Sequence, residues 1–193
     1  GSADVMKSGC YFADKISTVS PSYAEEIKTD YYSEGLGAIL NARAEDLCGI
    51  LNGIDAFTFN PEADALIPAH FTADSLSGKA ECKAALQSSL GLEVRPDLPI
   101  LSMVTRMTEQ KGFELVMAVL EELMESEPIQ FVLLGTGDSR YEDFMRYMEQ
   151  RYKGRLVAYI GYNEALAHEI YAGSDFFLMP SRFEPCGLSQ MIA

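Results

Sequence analysis

From Pro99 to Pro180 the chain alternates short apolar runs with segments of helical periodicity, and few architectures accommodate that pattern. Ile100-Leu-Ser-Met-Val104, Phe131-Val-Leu-Leu134, Leu156-Val-Ala-Tyr-Ile160 and Phe176-Phe-Leu-Met-Pro180 read as strands. Between them, Val116, Val119, Leu120 and Leu123 mark one face of a helix, Tyr141, Phe144, Met145 and Met148 a second, and Glu164 to Ala172 a third. A strand that is apolar throughout is covered on both faces, and a strand–helix alternation of such strands makes a parallel sheet. The expected class is therefore α/β: a Rossmann-like parallel sheet with helices on both faces.

The region before Pro99 is less regular. Lys15 to Ser20 reads as a strand, followed by a helix over 23–27 that Pro21 introduces. Residues 35–50 are mixed, with Leu47-Cys-Gly-Ile-Leu51 as a buried-strand candidate. Residues 56–78, with Pro61, Pro68 and many small polar residues, predict a long irregular connection that drapes over the surface or links domains. Lys79 to Leu90 reads as a helix closed by Gly91. The opening strand and helix do not continue the later pattern, and the final helix has barely begun at Ala193. The expectation is a piece of a longer protein: residues 1–50 the tail of one α/β domain, residues 51–193 a linker and most of a second, truncated at its C-terminus. Gly1-Ser2 resembles a cloning scar and is left out.

Composition narrows the partners. Fifteen basic residues against 29 acidic ones give a net charge of −14, a field that repels nucleic acid and anionic membranes. No apolar run approaches the length of a membrane span, and no signal peptide opens the chain. The four cysteines form no C-x-x-C pair and lie far from both histidines, which argues against zinc and against a disulfide framework and for a reducing compartment. Cys186, at a helix start, reads as a packed thiol. His70 reads as a surface residue and His168 as a structural one.

Ligands of open parallel sheets bind beyond the carboxyl ends of the strands, so the strand tips are where chemistry is sought. Arg106 ends the first regular strand and Lys111 follows at about one helical turn inside the next element, with Thr108 as a candidate cap. Two cations beside a helix N-terminus suit a diphosphate. Gly135-Thr-Gly137 ends the second strand, where glycines permit close approach of a ligand or simply make a turn. Tyr162 follows the third strand and is placed to stack on a base. The fourth leads into Ser181-Arg-Phe-Glu-Pro-Cys-Gly-Leu-Ser-Gln190. There Pro185 and Gly187 turn the chain, Glu184 sits in the turn, and the backbone N–H groups of Gly187, Leu188 and Ser189 open a helix that faces any anion. In a parallel sheet all four tips face one side, so these residues are expected to converge.

Four segments carry a family resemblance. Thr18-Val-Ser-Pro-Ser-Tyr-Ala-Glu-Glu-Ile27, Gly49-Ile-Leu-Asn-Gly-Ile-Asp55, Arg106-Met-Thr-Glu-Gln-Lys-Gly112 and Pro180-Ser-Arg-Phe-Glu-Pro-Cys-Gly-Leu-Ser-Gln190 resemble, in order, the ADP-glucose-dependent glycogen and starch synthases. These are retaining glycosyltransferases of the GT-B architecture. The last segment is the most specific. Related retaining families often carry a second Glu where this chain has Ile192, which narrows the resemblance to this group.

The resemblance implies an active site between two Rossmann-like domains, with ADP-glucose held mainly by the second and an α-1,4-glucan (glycogen or starch) as acceptor. Arg106 and Lys111 would bear on the distal phosphate of ADP and stabilise the departing diphosphate. Glu184 would be the essential carboxylate near the glucose ring. Backbone around Gly187 and Leu188 would meet the phosphates, and Tyr162 would lie near adenine. No metal and no other cofactor is expected. The location implied is the bacterial cytoplasm, or the plastid for a plant or algal source. A glycine-rich lysine motif and a Thr-Gly-Gly-Leu loop of the family are absent from the chain, so by itself it is expected to transfer no glucose. A GT-B transferase for another nucleotide sugar and a non-catalytic nucleotide-binding module are the alternatives.

Overall fold

A computed structural model describes residues 4–193; Gly1-Ser2 and Ala3 lie outside the described residues. The chain divides into two compact units, residues 1–53 with 184–188 and residues 54–183 with 189–193.

The first unit contains α1 (Val5–Phe12), β1 (Ile16–Val19), α2 (Pro21–Glu26), α3 (Gly37–Ala42) and β2 (Leu47–Ile50). β1 and β2 run parallel, Ile16 opposite Leu47 and Val19 opposite Ile50. Gly49 sits so close to the turn after β1 that a Cβ there would lie 2.1 Å from the Ser20 carbonyl oxygen. That contact gives a physical reason for a glycine in the second motif, because it joins β2 to the Ser20-Pro21 start of α2. The Arg43 guanidinium donates to the carbonyls of Tyr11 at 2.8 Å and Ala13 at 2.6 Å and to Asp46 Oδ2 at 3.0 Å. One side chain thus satisfies carbonyls that the end of α1 leaves without helical partners.

Two expectations fail here. Residues 37–42 form a helix that the mixed pattern concealed, and β2 is not a buried strand, since Ile50 is 62% exposed. With two strands only, the sheet leaves Ile50 and the following Leu51 exposed.

The second unit contains α4 (Ser77–Ser89), β3 (Ile100–Val104), α5 (Phe113–Ser126), β4 (Gln130–Gly135), α6 (Ser139–Arg151), β5 (Leu156–Ile160), α7 (Glu164–Gly173), β6 (Phe176–Phe177) and α8 (Leu188–Ile192), the last beginning at the unit boundary. The four strands are all parallel, in the order β5-β4-β3-β6. β4 is central and buried on both faces. Phe131 and Leu133 point into a cluster with Phe113, Leu120, Met145 and Met148 of α5 and α6. Val132 and Leu134 point into another with Leu86, Leu166 and Ile170 of α4 and α7. Alternation along one strand therefore feeds two cores, and this is the doubly covered α/β sheet that continuous apolar strands require.

Some local expectations need correction. Val119 is 53% exposed; the buried stripe of α5 is Phe113, Val116, Leu120 and Met124. The fourth strand is two residues long rather than five, and Phe176 is 59% exposed, because β6 is an edge strand paired only with β3. Residues 56–76 hold no helix or strand, yet they are not merely draped on the surface. Ile67 and Phe71 cover Cys82 and Ala172 in a third apolar cluster. Among the described residues no helix is long and apolar enough to cross a membrane, and the four cysteines are free.

Candidate functional site

The tips of β3 and β4 are locked together. Met107 donates its N–H to the Thr136 carbonyl at 2.9 Å, and Asp138 N–H donates back to Met107 at 2.9 Å. The two tip loops approach so closely that a Cβ on Gly135 would lie 1.8 Å from the Thr105 oxygen, and one on Gly137 2.0 Å from the Met107 oxygen. The Gly-Thr-Gly sequence therefore answers first to backbone packing between neighbouring strands. The Gly137 N–H is already taken by the Glu142 carboxylate at 3.0 Å, which also accepts from Thr136 Oγ1 at 2.6 Å. The hydroxyl and backbone donors hold the Glu142 carboxyl below the usual carboxylate range.

Against this locked edge lies a cavity of about 310 Å³, lined among others by Arg106, Gly135, Tyr162, Phe59, His168 and Tyr171. Its volume lies within the usual range for small-molecule pockets. Arg106 is exposed at the end of β3, and Tyr162 is 86% exposed beside β5. Asn163 caps α7, accepting from Leu166 N–H at 3.0 Å, and so fixes the backbone just after Tyr162. The cavity combines a guanidinium, four aromatic or imidazole rings and close-approach glycine backbone. It can hold a flat ring and an anionic group together.

Three of the sequence-selected residues, Arg106, Gly135 and Tyr162, thus share one cavity. Lys111 does not line it. Lys111 ends a short 3-10 helix over Glu109–Lys111 rather than lying one turn inside an α-helix, and α5 starts only after Gly112 in the left-handed conformation (φ 78°). Thr108 makes no capping bond, and its hydroxyl is buried without a partner. A Cβ on Gly112 would lie 2.1 Å from the Pro180 carbonyl oxygen, so only glycine lets this turn meet the segment after β6. Arg182 ties the same two segments, pairing with Glu109 and donating its N–H to the Gln110 carbonyl at 2.9 Å. Ser189 places its hydroxyl 3.5 Å from the Val104 carbonyl at the β3 tip. Glu184, Gly187 and Leu188 group with the first unit; Glu184 is half-buried there and Gly187 is buried.

Sequence reasoning missed the wall formed by Phe59, His168 and Tyr171. Phe59 stacks on His168 with centroids 4.4 Å apart and planes 12° apart, and meets Tyr171 edge-on at 6.2 Å. His168 is 2% exposed, and its Nδ1 donates to Asp64 Oδ2 at 2.6 Å. It is structural, as the sequence suggested, and it also lines the cavity. Burial pushes the Tyr171 hydroxyl above its ordinary pKa, while Ser189 opposes the shift. The available signal was Phe59 itself, the second of two phenylalanines, 57 and 59, directly before Asn60-Pro61.

The family model described as glycosyl transferases group 1 matches residues 98–193, the part of the chain that carries the four-stranded sheet and most of the cavity lining. Within that class the chain is similar to the glycogen and starch synthases. Residues 1–42 match the starch synthase catalytic domain model. The chain is 50% identical over 193 residues to a glycogen synthase of Bacillus subtilis and 52% identical to one of Lactococcus lactis, covering all of this chain and 40% of each relative. The catalytic domain of starch synthase IV from Arabidopsis thaliana, solved with ADP and acarbose, superposes with a TM-score of 0.88 at 39% identity, over 97% of this chain and 38% of that one. A sucrose-phosphate synthase from Thermosynechococcus elongatus, 19% identical with a TM-score of 0.60, shares the fold. The chain spans about 40% of the length of the glycogen synthases it matches.

Proposed function

We propose that the full-length protein to which this chain belongs transfers glucose from ADP-glucose to the non-reducing 4-hydroxyl of an α-1,4-glucan, with retention at the anomeric carbon, and that residues 51–193 supply a linker and most of the nucleotide-binding domain. The observation that carries this reading is Arg106, Gly135 and Tyr162 on one cavity at the tips of three adjacent parallel strands. The chain in which this occurs is half identical to glycogen synthases and matches a starch synthase solved with ADP. Tyr162 offers an open ring face for adenine. Arg106 and Lys111 neutralise the diphosphate as the bond between the anomeric carbon and the phosphate oxygen breaks; their charge is worth most when it develops on the leaving group. Glu184 is assigned to the glucose ring, and backbone at Gly187, Leu188 and Ser189 to the phosphates. With two side-chain cations in this role the proposal requires no metal. A cytoplasmic location, or a plastid one for a plant source, follows from the same reading.

Calorimetric titration of ADP, UDP and GDP tests the nucleotide assignment: ADP binds at least tenfold more tightly than UDP. Equal affinities sink the ADP-glucose assignment. In the full-length protein Glu184→Ala abolishes glucosyl transfer to a glucan primer while the fold persists. Retained transfer removes Glu184 from the reaction.

A further inference from the structure

The cavity wall contributed by residues 55–76 is held by a buried pair, of which His168 lines the cavity and Asp64 does not. Among the lining residues Phe59 alone comes from this irregular connection; the others belong to residues 104–171. Segments of this length without regular structure are ordinarily mobile. This one is anchored. Asp55 accepts from the backbone N–H of Phe57 at 2.9 Å and of Thr58 at 3.1 Å, and its carbonyl accepts from Phe59 N–H at 3.0 Å. Asp64 N–H then returns to the Asn60 carbonyl at 2.8 Å, closing a turn directly after Phe59.

Asp64 is the centre of the anchor. One carboxylate oxygen accepts from Leu66 N–H at 2.8 Å, and the other accepts from His168 at 2.6 Å. Both side chains of the Asp64–His168 pair are almost wholly buried, at 8% and 1% exposure. A buried carboxylate that loses its partner is strongly penalised, so the pair has one stable arrangement. It holds the imidazole flat beneath the Phe59 ring.

We propose that Asp64 is a positioning residue for the nucleotide cavity: through His168 it sets the Phe59 ring as the wall against which the nucleoside packs. This rests on the nucleotide-binding reading above. It assigns to the connection a part in ligand affinity, where the sequence offered only a linker.

A double-mutant cycle tests it, with ADP as probe and its dissociation constant measured by calorimetry on the full-length protein. Phe59→Ala weakens ADP about tenfold, the scale of a lost base–aromatic contact, and Phe59→Tyr keeps wild-type affinity. Asp64→Ala weakens ADP at least threefold in the parent but less than 1.5-fold on top of Phe59→Ala, because its effect passes through the ring. A merely structural Asp64 lowers the melting temperature and leaves ADP affinity unchanged, or acts equally in both backgrounds, and either result overturns the proposal. Should Asp64→Ala fail to fold, Asp64→Asn in a Phe59→Trp background replaces it. Subtracting the spectrum of the protein that keeps Phe59 isolates the emission from this position, since residues 1–193 contain no other tryptophan. Emission shifts to the red when Asp64→Asn is added; an unchanged spectrum overturns the proposal. If the unaltered protein binds no ADP, the nucleotide reading fails instead, and the emission shift still decides whether Asp64 seats the ring.

Discussion

The two units are built from the same motif, a parallel strand pair joined through helices, yet they differ in how they bury it. In the first, β1 and β2 form a two-stranded sheet, and Ile50, Leu51, Val5 and Phe12 remain exposed. In the second, β4 has a parallel neighbour on each side and a layer of helices on each face, and Phe131, Val132 and Leu133 are fully buried. An apolar strand residue thus contributes differently according to how many sides of its strand are covered. Burial, rather than composition, sets its worth.

The contrast can be broken most directly by truncating equivalent side chains. Leu133→Ala in β4 costs about 2–5 kcal/mol of unfolding free energy, as for a fully packed core leucine. Ile50→Ala in β2 costs less than about 1 kcal/mol, as expected for a largely exposed position. Urea denaturation of both variants measures the difference, and equal losses abolish the distinction between the units.

A second pair of substitutions sharpens it. Gly135→Ala and Gly49→Ala each place a methyl group within about 2 Å of a backbone oxygen, 1.8 Å at Thr105 and 2.1 Å at Ser20. Both destabilise, each by about 1–3 kcal/mol of overpacking, because strand-tip contacts are alike in the two units even where their cores are not. Only Gly135→Ala also weakens ADP, since only that residue lines the cavity.

Arg43→Ala tests how far polar anchoring substitutes for core in the first unit. Removing its bonds to the α1 terminus and Asp46 costs about 1–2 kcal/mol, the scale of charge-assisted hydrogen bonds that water partly replaces. Amide exchange quickens in α1 and not in β4.

The smallest effect is electrostatic. Hydrogen bonds from Lys15 first, and then from Arg43, hold the Asp46 carboxyl below its ordinary pKa. A depressed carboxyl stabilises the fold above its unfolded value, near pH 4, and that contribution fades as the pH falls through the folded value. Lys15→Ala therefore reduces stability near neutrality and flattens the acid limb below about pH 4. The pair is exposed, so the change is slight; thermal melts between pH 2 and pH 7 detect it.

Much of the second unit was readable beforehand because each strand and helix there is long enough for its periodicity to show. β5 coincides with its predicted limits, and α7 differs by one residue. The misses have local causes. β6 was read as five buried residues because Phe176 to Met179 are apolar, but an edge strand with one partner needs only a short ladder. Val119 fits a helical stripe in one dimension and still faces out, because the sheet decides which arc of α5 is covered. Thr108 as a cap places Lys111 one turn into the following helix, but the chain makes a short 3-10 helix there and Gly112, at positive φ, separates it from α5. Behind the wall of Phe59, His168 and Tyr171, the hydrogen-bonded Asp64 and His168 are 104 positions apart, and no periodicity reports a pairing at that separation.

By itself the sequence determined the α/β class, the strand tips as the place for chemistry, and Arg106, Gly135 and Tyr162 as residues to watch there, since these follow from local pattern and strand direction. Tertiary structure alone decided that Gly135 and Gly137 answer to neighbouring backbone, that Lys111 stands off the cavity in a short 3-10 helix, and that a linker residue forms part of the wall. The physical reason is distance along the chain. Hydrophobic period and turn chemistry act over a few residues, whereas close backbone approach and buried side-chain hydrogen bonds join segments whose meeting no single stretch encodes.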